Sequence, residues 1–266
     1  MKHIEVEGVR IAFHDHGTGI PVLLLHGFPL SSESFRPQLD ALAGRFRLIA
    51  PDHRGFGESG PPVAEATEMS RIARDALAVL DSLGIQRAVV GGVSMGGYAA
   101  MAALREDAGR VAGLILIDTQ AAADDEAGKA RRADTAKAIE ARGAQALVDS
   151  MLGKLVSGEC DPAVRARVEA IIRAQPPQGC IAAVRGMALR PESFDVLSRF
   201  AGPSLVVVGE QDAITPPAKA REMAGLLQGS KLVELPRAGH LSNLEAAVAF
   251  NSAADAFLSA LPRESF

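Results

Sequence analysis

The sequence predicts an α/β protein built on a mostly parallel sheet with helices on both faces. Six segments, PVLLLHG, RLIAPD, AVVGGVS, GLILIDT, SLVVVGEQD and KLVELP, are apolar on both sides of their pleat, as strands covered on both faces are. Helical patterns separate them, so strand and helix alternate along the chain. The 266 residues, 48% hydrophobic and 23% charged, suffice for one large domain or a core carrying an insertion.

Taken in order, residues 2–14 open the chain with alternating apolar and polar positions around Glu7-Gly8, the pattern of a β-hairpin. The clearest helix is TEMSRIARDALAVLDSLG. Its stripe is Met69, Ile72, Ala73, Ala76, Leu77, Leu80 and Leu83, with Thr67 placed to cap its start and Gly84 to end it. Between Asp118 and Pro203 no segment reads as a strand. This stretch predicts helices at about 123–142, 144–156, 162–174 and 178–190, with Asp161-Pro162 as a start signal. Met151, Leu152, Leu155, Ile171, Ile172, Ile181 and Met187 supply their apolar faces. The expected organisation is a core of residues 1–119 and 201–266, interrupted by an all-helical lid of residues 120–200.

The net charge is −4 with both signs interspersed, so neither a nucleic-acid surface nor a solvating tail is expected. MKHIEVEGVRIAFHDHG has no apolar signal core, and no run is long enough to cross a bilayer. Cys160 and Cys180 are the only cysteines and read as reduced thiols. The expected location is the cytoplasm.

Parallel sheets of this kind place their chemistry outside the carboxyl ends of the strands. One such end, Gly92-Val93-Ser94-Met95-Gly96, fits G-x-S-x-G between a predicted strand and a predicted helix. A sharp turn there would lift the Ser94 hydroxyl clear of the backbone and set it at the positive end of the helix. It would also bring the flanking segments so close that only glycine fits at 92 and 96. A serine hydroxyl needs a base. Of the six histidines, His3, His14 and His16 belong to the hairpin and read as surface residues, and His26 and His53 end strands. His240, after the last strand in PRAGHLSNLE, fits the chain order Ser, Asp, His. The acid that orients it is read as Asp212, in VVVGEQDAITPP, with Asp118 as its rival. Asp52 reads as a structural carboxylate bonding loop amides. The oxyanion donors are expected to be the backbone N–H groups of Met95 and Phe28, since Pro29 has none.

With LLLHGFP, PDHRGFGES, GGVSMGGY, VVVGEQDAITPP and AGHLSNLE in this order, the chain resembles the α/β-hydrolase superfamily over nearly its whole length. The resemblance implies a core of about eight strands with a helical cap after the sixth. It is nearest to cofactor-free serine esterases and enol-lactonase-like enzymes, so no cofactor or metal is expected. It implies hydrolysis of a small or medium ester or lactone through an acyl-enzyme on Ser94. Carbon–carbon bond hydrolases and haloperoxidases or perhydrolases share much of the pattern, and a receptor-like ligand-binding protein on this fold is the alternative of another class. Epoxide hydrolases and haloalkane dehalogenases of this fold carry aspartate where this chain has Ser94. Perhydrolase-type relatives often carry tryptophan where it has Phe28. Arg185 and Arg190 could meet a substrate carboxylate, but read more simply as solvated helix-face residues.

Overall fold

The computed structural model describes residues 1–262. Eight strands form one sheet: β1 (Lys2–Val6), β2 (Val9–His16), β3 (Pro21–Leu25), β4 (Arg47–Pro51), β5 (Ala88–Val93), β6 (Val111–Ile117), β7 (Ser204–Gly209) and β8 (Lys231–Leu235). Their spatial order is β1-β2-β4-β3-β5-β6-β7-β8. The hairpin β1–β2 is antiparallel, and β2 joins β4 antiparallel. Every later pairing is parallel. The predicted strands are all present, and every residue of β3, β5, β6 and β7 is buried. That burial explains their unbroken apolar sequences.

The helices before the insertion are α1 (Arg36–Leu42), α2 (Met69–Ser82) and α3 (Met95–Glu106). Four longer helices, α4 (Glu126–Arg142), α5 (Ala144–Leu155), α6 (Pro162–Arg173) and α7 (Pro177–Leu189), then lie between β6 and β7, followed by the short α8 (Phe194–Arg199). The four match the predicted segments to within a few residues. α8 lies outside the four predicted segments. α9 (Pro217–Leu226), α10 (Ser242–Glu245) and α11 (Ala247–Ser259) complete the described chain. α2 packs on α3, and α1 on α11. Buried amides join α1 to the last helices. The Gln38 side chain donates to Asn243 O at 3.0 Å and to Asn251 Oδ1 at 2.9 Å. No described helix is long and apolar enough to cross a membrane.

The apolar stripe of α2 is buried as expected, apart from the half-buried Leu83, and Gly84 ends the helix at φ +68°. The start differs. The helix begins at Met69, and no side chain caps it. Thr67 is buried with its hydroxyl unpartnered. Its backbone is used instead: Thr67 N–H donates to Ala182 O of α7 at 2.8 Å. A Cβ on Gly186 would collide with the Thr67 carbonyl, and one on Gly179 with the backbone of Gly55. α7 therefore lies backbone against backbone on the core. Gly186→Ala should lower stability by roughly 1–3 kcal/mol through overpacking. The better helix propensity of alanine offsets at most about 1 kcal/mol of that. Calorimetry should read a loss of several degrees in Tm. An unchanged Tm would contradict the close seating.

Candidate active site

The carboxyl ends of β3, β5, β6, β7 and β8 deliver the sequence-selected residues to one edge of the sheet. Phe28 follows β3, Ser94 follows β5, Asp118 follows β6, Asp212 follows β7 and His240 follows β8.

Ser94 sits between β5 and α3 at φ +52°, ψ −113°. A non-glycine residue pays roughly 1–3 kcal/mol for such backbone, so its surroundings must hold it there. Ser94 N–H donates to Ile117 O at 2.9 Å, and Thr119 Oγ1 donates to Ser94 O at 2.8 Å. A Cβ on Gly92 would collide with Gly96, and one on Gly96 with Leu25 O. The glycines at 92 and 96 thus permit the turn by leaving no side chain where backbones touch.

Ser94 Oγ lies 2.8 Å from His240 Nε2, and His240 Nδ1 lies 2.8 Å from Asp212 Oδ2. Asp212 and His240 are both buried. Asp212 Oδ1 accepts the N–H groups of Ile214 and Thr215 at 2.8 and 2.9 Å, and Oδ2 accepts the Thr215 hydroxyl at 2.7 Å. Burial alone would raise the Asp212 pKa. The hydrogen bond and charge of His240, with the Thr215 donors, outweigh it and leave the carboxyl below its ordinary value. An ionised Asp212 accepts from Nδ1–H, which leaves Nε2 free to accept from Ser94 Oγ–H. The N–H groups of Phe28 and Met95 have no hydrogen-bond partner among the described residues.

Asp118, the rival acid, makes no hydrogen bond to His240. Its Oδ1 accepts Gly209 N–H at 2.9 Å, and its Oδ2 accepts Ser242 N–H and Oγ–H at 2.9 and 2.7 Å. It joins the end of β7 to the segment just past His240. Burial pushes its pKa up to about 7; the His240 and Asp212 charges act in opposite senses on it. Asp52 is structural: Oδ1 accepts Ser32 N–H at 2.8 Å and Oδ2 accepts Glu58 N–H at 2.9 Å.

Two sequence readings need correction. His14 is buried, with Nε2 3.3 Å from Glu33, while His3 and His16 are exposed. Arg190 is not a solvated arginine. It is buried, lies 4.0 Å above the Tyr98 ring and pairs with Asp124 at 3.0 Å. Arg185 does face solvent, paired with Glu140 at 3.1 Å. Asp75, on α2, is a further buried charge that the sequence does not single out. It takes both nitrogens of a fork from Arg54 at 2.6 and 2.7 Å.

His26 and His53 form a buried clasp beside Phe28. Their rings stack at 3.8 Å. His53 N–H donates to His26 Nε2, His53 Nε2 donates to His26 O, and His26 Nδ1 donates to Gly27 O, each at 3.0 Å. Burial pushes the pKa of His26 down to about 4 and that of His53 well below its ordinary value. The unfolded chain gains these protons as pH falls below about 6.5, whereas the folded chain keeps His26 neutral down to about 4 and resists protonation of His53 as well. Each histidine should therefore weaken folding as pH falls below about 6.5, by about tenfold in the equilibrium constant per pH unit, while Asp118, whose folded carboxyl takes its proton near 7, acts in the opposite sense. Denaturant titrations from pH 7 to 5 check this, and His53→Gln should remove about one tenfold step per pH unit from the histidine contribution below pH 6.5. A slope untouched by that substitution would contradict the assignment.

The chain matches the alpha/beta hydrolase fold family over residues 20–247. A thermophilic esterase from Thermogutta terrifontis, solved with malate bound, is similar to it at 36% identity and a TM-score of 0.94, covering 98% of this chain and 99% of that one. The enol-lactonase from Burkholderia xenovorans is similar at 27% identity and a TM-score of 0.89, covering 97% of this chain and all of that one. Haloalkane dehalogenase 2 of Mycobacterium tuberculosis is 31% identical over 245 residues, 87% of this chain and 85% of the relative. On its sheet order and these matches, the chain belongs to the α/β-hydrolase superfamily, in the esterase and enol-lactonase-like branch.

Proposed function

We propose that the protein hydrolyses small or medium carboxylic esters or lactones through an acyl-enzyme on Ser94. The observation that carries this reading is the unbroken line Ser94 Oγ, His240 Nε2, His240 Nδ1, Asp212 Oδ2, with 2.8 Å at both hydrogen bonds. Similarity to an esterase and an enol-lactonase supports the substrate class. The serine at position 94 favours it over dehalogenation.

Ser94 Oγ attacks the carbonyl carbon as its proton passes to His240 Nε2. Asp212 holds the ring and stabilises the imidazolium. The oxyanion forms against the Phe28 and Met95 N–H groups, at the start of α3 where the helix dipole favours negative charge. His240 returns the proton to the departing alkoxide, and acyl-Ser94 remains. Water then gives a proton to His240 and attacks the acyl carbon. The carboxylic acid leaves as Ser94 regains its proton. The helices α4–α8 serve as the cap and bound the substrate space.

Release of p-nitrophenol from acetate, butyrate and octanoate esters, together with acid release from small lactones, tests the reading. Turnover should be measurable for the shorter acyl chains without added metal or cofactor. A folded protein that turns over none of these substrates would overturn it.

A further inference from the structure

Ser157, Gly239 and Glu245 come from separate segments and meet at one carboxylate. Glu245 closes α10. Its Oε1 accepts Gly239 N–H at 2.8 Å, and its Oε2 accepts Ser157 N–H at 2.8 Å. Gly239 precedes His240. Ser157 begins the turn between α5 and α6 in the helical insertion. The two backbones are also in direct contact. A Cβ on Gly239 would stand 2.7 Å from Ser157 N and 3.0 Å from Glu245 Oε1.

A second tie joins the same turn to the acid loop. Gln211 Nε2 donates to Glu159 Oε1 at 2.7 Å, and Gln211 N–H donates to Ala238 O at 2.9 Å. The α5–α6 turn is thus tied through the Glu245 carboxylate to the residue before His240, and directly to the residue before Asp212. The proposed reaction uses neither Glu245 nor this turn, and Glu245 makes no hydrogen bond to the His240 ring. Asp118 secures the loop only from its other side, through Ser242.

We infer that Glu245 is a positioning residue that makes the α5–α6 turn of the helical insertion part of the support for His240. The inference rests on the assignment of His240 as the base. The insertion then does more than bound the substrate: the approach of His240 Nε2 to Ser94 depends on how its α5–α6 turn is seated. Only a carboxylate offers two acceptors at this spacing. In Glu245→Gln, an –NH2 must face one of the two N–H donors, and that side of the clasp opens. A displacement of His240 by as little as about 1 Å can cost ~100-fold in rate.

The test is Glu245→Gln read three ways: steady-state hydrolysis of p-nitrophenyl acetate, thermal unfolding, and the low-field proton resonance of His240 Nδ1–H. The expected result is a fall of about 10- to 100-fold in kcat with KM within about twofold. The low-field resonance should shift or broaden while the protein remains folded. Wild-type kcat with an unchanged resonance in folded Glu245→Gln would overturn the inference. If that variant does not fold, Gln211→Ala severs the second tie, and a few-fold loss of kcat with a perturbed resonance is expected. No change in either would again overturn it. The resonance needs no substrate. It therefore separates failure of this inference from failure of the hydrolase reading, which would show as wild-type protein without turnover.

Discussion

Ser94→Ala should fold as the parent does and lose ester turnover by about 10⁴-fold or more. The fold survives because the elbow is held through its backbone: the Ile117 and Thr119 hydrogen bonds involve Ser94 N–H and Ser94 O, not the hydroxyl. The serine side chain does not cap α3. Alanine introduces no new atom near Gly92 or Gly96, and the His240–Asp212 hydrogen bond is untouched. The loss is entirely chemical, because no other oxygen takes the place 2.8 Å from His240 Nε2. Circular dichroism and Tm establish the fold, and p-nitrophenyl acetate hydrolysis measures the loss. Residual activity within tenfold of the parent would mean that Ser94 is not the nucleophile.

The second large effect separates the two buried aspartates. Asp212→Asn should lower kcat by about 10⁴-fold. An amide at this position cannot supply the charge that stabilises the imidazolium, and its –NH2 group favours the wrong tautomer of His240. Asp118→Asn should behave differently. Asp118 contacts Gly209 and Ser242 rather than the ring. An amide there leaves one of its donors facing an N–H, so the cost falls mainly on stability. Activity should drop by about tenfold or less in folded protein. Paired measurements of kcat and Tm on the two variants decide the matter. Equal losses of kcat would put the acid assignment in doubt.

Much of this architecture is readable from the chain because a strand buried on both faces has little freedom of composition. Leu23, Val90, Leu116 and Val206 all lie in such strands, and their apolar runs announced the parallel sheet. The elbow was readable for a related reason, since close backbone approach leaves only glycine at 92 and 96. Positions held by distant partners were less accessible. Thr67 carries a strong local capping signal, yet contact with Ala182 and Gly186 of α7 claims its backbone and leaves its hydroxyl unused. Arg190 carries no sign that Tyr98 and Asp124 will bury it. Glu245 sits at the end of a loop pattern, and nothing local shows that Ser157 will reach it. Local pattern sets elements and strand ends. Which side chains meet across the insertion depends on tertiary packing.

Intact-mass analysis after treatment with a fluorophosphonate, followed by peptide mapping, tests the assignment of Ser94 most directly. Fluorophosphonates phosphonylate a serine that a neighbouring base has activated. The predicted result is a single adduct on the peptide containing Ser94, absent in Ser94→Ala and formed much more slowly in Asp212→Asn. A folded protein that takes no adduct, or takes it on another residue, would contradict the account.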